Sequence, residues 1–187
     1  GVRDSVEAAL EKLAAKGATI VRAEVPEFDA VTDLCNNVGN LFSPEAYAEW
    51  RDEIDSKGDR IYAEVVRRFK MAEDMSSLDV AEAFHKLRGL RASYLKTAES
   101  YDALLMPTTP NTPPAIAPLE ADSAAYGAAN IAALHNTRLG NLLTLSSLTL
   151  PVDLADGLPV GLMMFGLPKR ENALLRNGRA IEKALEG

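Results

Sequence analysis

The segment His135-Asn136-Thr137-Arg138-Leu139-Gly140-Asn141 concentrates hydrogen-bond donors and acceptors just ahead of Leu148 to Val152, a stretch that reads as a buried strand. A guanidinium in such a place can hold a carboxylate, or the polar end of a substrate, through two parallel N–H bonds. Arg138 also has a plainer reading, an ion pair with a neighbouring acidic residue. Asn141 likewise can simply bond loop backbone groups, and for both residues the plainer reading is the commoner outcome. Thr108 opens a second candidate region, Thr108-Thr109-Pro110-Asn111-Thr112-Pro113-Pro114, which follows a short apolar run. Loops leaving the C-terminal ends of strands in α/β sheets commonly line the ligand crevice, although a proline-stiffened surface crossover fits this loop equally well. His135, Arg138, Asn141 and Thr108 are therefore the candidate substrate-binding residues.

No catalytic residue can be assigned. Ser146-Ser147 stands between Leu145 and Leu148 without the glycines that would expose a nucleophile and bring backbone N–H donors to an oxyanion, so both serines read as structural. His85 lies inside a long helical pattern beside Lys86 and reads as solvent-facing or partly packed. His135 has no Ser or Cys partner at a recognisable spacing. Cys35 is the only cysteine, which excludes an internal disulfide and a cysteine-built metal site and fits a reducing compartment. Its neighbours Asn36 and Asn37 would not lower a thiol pKa, so it reads as a small buried apolar residue.

A chain of 187 residues with 47% apolar and 25% charged residues has the balance of one globular domain, or of part of a larger one. Its net charge of -7 and pI near 4.9 weigh against binding a phosphate backbone, which needs concentrated Lys and Arg. The local basic clusters, Arg67, Arg68 and Lys70, then Lys86, Arg88 and Arg91, fall in helical patterns and read as solvated faces. Neither nucleic acid nor membrane is expected as a partner, because no apolar stretch approaches the roughly 18 to 20 residues that cross a bilayer. The first residue is Gly1 rather than Met and no export signal is visible, from which a cytoplasmic location is expected.

The elements that must position these residues follow from periodicity. Val6, Leu10, Leu13 and Ala14 have helical spacing and Gly17 a helix-ending place, after which Thr19 to Val25 reads as a strand. Helices are expected from Asp29 to Asn40 and after Ser43-Pro44, with Asp55 to Asp59 as a polar loop. Two amphipathic helices follow, through Ile61, Val65 and Phe69, and, after Ser76-Ser77, through Val80, Phe84, Leu87 and Tyr94. Ala103 to Met106 reads as a buried strand, Ser123 to Leu134 as an Ala-rich helix, and Leu148–Val152 and Val160–Phe165 as strands. Asp156-Gly157 marks a hairpin between them, expected to be bulged rather than a two-residue turn. Glu171 to Leu185 reads as a closing amphipathic helix.

Taken together, Tyr101-Asp102-Ala103-Leu104-Leu105-Met106-Pro107-Thr108, Asn141-Leu142-Leu143, Leu148-Thr149-Leu150-Pro151 and Gly157-Leu158-Pro159-Val160-Gly161-Leu162 resemble the C-terminal region of amidase-signature enzymes. The resemblance covers nearly the whole chain. It implies an α/β fold, here a partial amidase-signature fold with a mixed twisted sheet and helices on both faces. It also implies hydrolysis of an amide C–N bond, without metal or organic cofactor, by a serine nucleophile, a second serine and a lysine. Those three residues are implied to lie N-terminal to the matched region, in a Gly- and Ser-rich segment without a counterpart here.

The expectation is thus the C-terminal part of a single amidase-signature domain. It would line the pocket for a small amide substrate, be inactive alone and, with sheet edges uncovered, self-associate. The family includes the A subunit of glutamyl-tRNA amidotransferase, whose glutamine pocket places an acidic residue shortly before the block like Asn141 to Pro151. Ala132-Ala133-Leu134-His135 has no carboxylate there, which disfavours that alternative, although Arg67 or Arg68 could match the pocket's arginine. A third reading is a non-enzymatic assembly module derived from an amidase.

Overall fold

In the computed structural model, which describes residues 1–186, the three apolar runs of the C-terminal half pair as one antiparallel sheet. Strand β1 is Leu104–Pro107, β2 is Ser146–Ala155 and β3 is Leu158–Gly166, in the order β1-β3-β2. Thr108 donates its backbone N–H to the Gly161 carbonyl at 2.8 Å. In an antiparallel ladder alternate residues exchange both bonds with their partner, so Leu104 and Met106 also face β3, and Leu105 and Pro107 turn their backbone groups outwards. The same parity on β2 turns Ser147, Thr149 and Pro151 outwards. Each edge thus carries its proline where no ladder N–H is lost.

Side chains alternate between the two faces of the sheet. Val160 and Leu162 share a core with Val2 and Val6 of helix α1 (Val2–Ala15) and with Ala155, and Leu105 and Ile181 pack against it. Burying each of these aliphatic side chains stabilises the fold by about 1.5–3 kcal/mol. Helix α9 (Glu171–Glu186) lies on that face, so close that a Cβ on Gly178 would come within 2.7 Å of Leu148 Cδ2. The opposite face carries Phe165, against which Gly140 of a short helix packs. Helices therefore cover both faces, as expected for the α/β class.

The chain divides into two compact units, one formed by Gly1–Val25 with the segment from Arg91 onward, the other by Pro26–Leu90. The second unit holds α2 (Pro26–Val38), α3 (Ser43–Lys57), α4 (Ala63–Lys70) and most of α5 (Ser77–Ala98), with Val31, Leu34 and Cys35 buried. Within it Ser43 donates to the Arg68 carbonyl at 2.8 Å and Tyr47 to Glu73 at 2.5 Å. Back in the first unit, α6 (Ile116–Ala121), α7 (Ser123–Ala133) and α8 (His135–Leu142) follow β1. Asp122 starts α7 by accepting from the amides of Ala124 and Ala125.

Three expectations are corrected. Residues 18–25 form no strand: among the described residues no strand lies beside them to take their ladder bonds, Val21 is 56% exposed, and Arg22 instead pairs with Glu7 on α1. The polar run from Asp55 is helical to Lys57, with Ser56 bonding back to the Asp52 carbonyl, before a tight turn at Gly58–Arg60. The hairpin is a two-residue turn, since Asp156 and Gly157 both take the positive φ that such a turn demands (54° and 78°). The expected irregularity lies inside β2 instead, where the register shifts between Pro151 and Asp153.

Gly178 and Gly89 give opposite predictions. Gly178→Ala should destabilise the protein by about 1–3 kcal/mol by forcing α9 off Leu148. Gly89→Ala, with open space around it in α5, should stabilise by about 0.5–1 kcal/mol through helix propensity. Urea denaturation of both variants checks the pair, and equal effects would contradict the packing described.

Candidate functional site

Thr108 sits where β1 ends. Its hydroxyl donates to Thr149 Oγ1 at 3.1 Å, across the backbone of Gly161. A Cβ on Gly161 would lie 2.6 Å from Thr108 Oγ1 and 2.7 Å from Thr149 Cγ2, so this threonine pair exists only because position 161 has no side chain. Thr108 is half-buried and Thr149 exposed.

The segment from His135 is helical, and that decides where its side chains can reach. Asn136, Leu139, Gly140 and Leu143 recur at helical spacing and are buried. Asn136 is 6% exposed and donates through Nδ2 to the Pro107 carbonyl at 2.8 Å, tying α8 to the end of β1. Gly140 lets the helix close on the sheet, since a Cβ there would fall 2.5 Å from Phe165 Cε1. At about 100° per residue, Arg138 and Asn141 then lie on the side of α8 turned away from the sheet, with His135 at its flank.

The four candidate residues are accordingly not one cluster. Thr108 bonds Thr149 rather than any residue of α8. Arg138 is half-buried and makes no ion pair among the described residues, so the expectation of an acidic neighbour is not met. Asn141 is exposed and belongs to the helix rather than to a loop. Asn136, Thr149 and Gly161 escaped the sequence reading. Asn136 was findable, because it stands on the apolar stripe of Leu139, Gly140 and Leu143 once the segment is read as helix.

The other reactive side chains are accounted for structurally. Ser146 donates to Glu171 Oε1 at 2.9 Å, and Ser147 is an outward position of the β2 edge. His85 is exposed and its Nδ1 contacts Arg88 Nη2 at 3.2 Å on the same helix. Arg67 pairs with Glu64 at 2.6 Å. Cys35 is buried and forms no disulfide among the described residues. No group of His, Cys, Asp or Glu with metal-binding geometry occurs among the described residues, and none of their helices is long and apolar enough to cross a membrane. A cleft of about 250 Å³ between the end of α5, the start of β1 and α9 is lined by Tyr94, Tyr101, Phe165 and Arg170, and by none of the four candidates.

The sequence profile of the family described as Amidase matches residues 1–175. The chain belongs to the amidase family. It is 33% identical over 179 residues to the 2-amino-5-chloromuconic acid deaminase of Comamonas testosteroni, a match covering 95% of this chain and 38% of that protein. It is 29% identical over 207 residues to the A subunit of the glutamyl-tRNA(Gln) amidotransferase from an Exiguobacterium species, covering 100% and 42%. The fold is that of solved amidases. One crystal structure of an amidase superposes with a TM-score of 0.80 at 21% identity, over 98% of this chain and 42% of that one. The Kluyveromyces lactis allophanate hydrolase gives 0.83 at 21% identity, over 98% and 29%. This chain therefore spans about two-fifths of the length of the curated relatives it matches.

Glu171 provides a titratable probe of this amidase-family chain. Its carboxylate accepts its own backbone N–H at the start of α9, and the Ser146 hydroxyl besides, and these hold its pKa below the ordinary 4.5. A carboxylate with a depressed folded pKa stabilises the native state above its ordinary value, and this is lost as pH falls through the folded value. Ser146→Ala should therefore be less stable than the parent above pH 4.5, with the gap closing at lower pH. A gap that stays constant down to acid pH, followed by thermal denaturation, would contradict the Ser146–Glu171 bond.

Proposed function

We propose that this chain forms part of an amidase that hydrolyses the C–N bond of a small amide, supplying the scaffold and one wall of the acyl pocket. The family match over residues 1–175 carries this reading. The Ser-Ser-Lys chemistry that the resemblance implies would come from outside these residues, since Ser146 is engaged by Glu171 and Ser147 lacks the flanking glycines that expose a nucleophile. Arg138 supports a narrower reading, a substrate bearing a carboxylate. Its half-buried guanidinium has no anionic partner among the described residues, and one relative is named for acting on an acid. His135 and Asn141, on the same helix as Arg138, would supply neutral hydrogen bonds beside it, whereas Thr108, bonded to Thr149 on the sheet, stands apart from that group.

A glutamine-dependent amidotransferase component is the second reading, favoured by the 29% identity to one such protein over the whole chain. The absence of a carboxylate in Ala132-Ala133-Leu134-His135 counts against it. Glutaminase activity in a competent protein containing this region would reverse the order of the two readings.

Two outcomes are expected. The pure 187-residue chain should not turn over simple amides; hydrolysis abolished by a serine-directed inhibitor would overturn the assignment of catalysis to residues elsewhere. In a catalytically competent protein containing this region, Arg138→Met should raise KM for carboxylate-bearing amides about tenfold to hundredfold. This corresponds to losing a charge-assisted hydrogen bond of about 1.5–3 kcal/mol, and uncharged amides should be unaffected. An equal effect on both substrate classes would remove Arg138 from the pocket. The isolated chain is also proposed to self-associate through its uncovered apolar side chains, among them Ile116 and Leu154. Sedimentation that finds only monomer at high concentration would contradict this.

A further inference from the structure

We propose that Asn136 is a specificity-determining residue, whose side-chain carbonyl accepts an N–H from the amide of the substrate. This deepens the amidase reading above and rests on it, but needs nothing of Arg138. Asn136 is 6% exposed and stands on the buried stripe of α8 with Leu139, Gly140 and Leu143, where an apolar side chain would pack without desolvating a polar group. Its bond to the Pro107 carbonyl fixes the orientation of the amide group. A carbonyl oxygen can only accept, so Nδ2 must face Pro107 and Oδ1 must face away from it.

That bond uses one N–H of Asn136 and leaves Oδ1 without a donor among the described residues. The donors at the end of β1 are already spent. Pro107 has no N–H, and Thr108 gives its backbone N–H to the Gly161 carbonyl and its hydroxyl proton to Thr149. Oδ1 is not sealed off from open space either, so a group from outside can reach it. An acceptor on a residue this buried, held in one orientation and lacking a protein donor, calls for a donor on the ligand. An amide substrate with an N–H brings one, and an ester of the same acyl group does not. A site that bonds a substrate N–H discriminates against the analogue lacking it, because its own polar group is then left unpaired.

The test uses a catalytically competent protein containing this region, with butyramide and methyl butyrate as probes, an amide and an ester of one acyl group. The quantity read is the ratio of kcat/KM for the amide to that for the ester. Asn136→Leu keeps roughly the size of the side chain and removes both polar atoms. It should lower the ratio about tenfold to hundredfold, equivalent to about 1.4–2.7 kcal/mol. Asn136→Asp keeps an acceptor oxygen in either protonation state and should hold the ratio within about threefold of the parent's, whatever becomes of the bond to Pro107. Should the leucine variant not fold, Asn136→Ser, too short to reach either partner, is read in the same way. A ratio unchanged in Asn136→Leu, with both probes slowed equally or not at all, would make Asn136 a structural tie and overturn the proposal. So would a ratio that Asn136→Asp lowers as far as Asn136→Leu does. A parent protein that hydrolyses the ester but never the amide, or neither probe, would instead bring down the amidase reading, and the proposal with it.

Discussion

The contact between Gly140 and the Phe165 ring is the constraint on which the rest of the sheet unit depends. Phe165 stands on the central strand, and α8 can lie over it only because position 140 offers no Cβ, which would fall 2.5 Å from the ring. On the other face of the sheet Gly178 of α9 comes so close to β2 that a Cβ there would fall 2.7 Å from Leu148 Cδ2. The sheet is therefore held between two helices through glycines. Interiors at this density transmit displacement rather than absorb it, so the places of Asn136 and Arg138 follow from where Gly140 meets the ring.

The same geometry explains how polar groups reach the end of the sheet. Asn136 is buried on α8 and satisfies the outward carbonyl of Pro107, which would otherwise be an orphan acceptor at a sheet edge. Gly161 leaves room for the Thr108–Thr149 pair across β3. Both arrangements convert the ends of an apolar sheet into a surface that presents hydroxyls and a fixed helix.

Much of this was legible in the sequence, for identifiable reasons. The helices from Val80 to Tyr94 and from Glu171 to Leu185 and the strands around Leu104, Leu148 and Val160 declare themselves through period, because each buries one face or one stripe. The segment at Thr19–Val25 misleads because β-branched residues indicate willingness to pair, while pairing needs a neighbouring strand that none of the described residues supplies. The turn at Asp156-Gly157 was read correctly in type of residue and wrongly in length, since the bulge that shifts the register sits several residues away at Val152. At the candidate site, local sequence could nominate Arg138 and Asn141. It could not say that they turn away from Thr108, because that depends on which side of α8 the Phe165 ring accepts. Threonine pairs across strands, such as Thr108 with Thr149, are set by register and are invisible until the register is known.

The central claim is the seating of α8 on β3, and proton nuclear Overhauser spectroscopy of the labelled chain tests it directly. The account predicts a strong cross-peak between the Gly140 Hα protons and the Phe165 ring, together with one between the Asn136 side-chain amide and Pro107. Sharp, assigned resonances for both residues with neither cross-peak would contradict it, and the placement of Arg138 would fall with it.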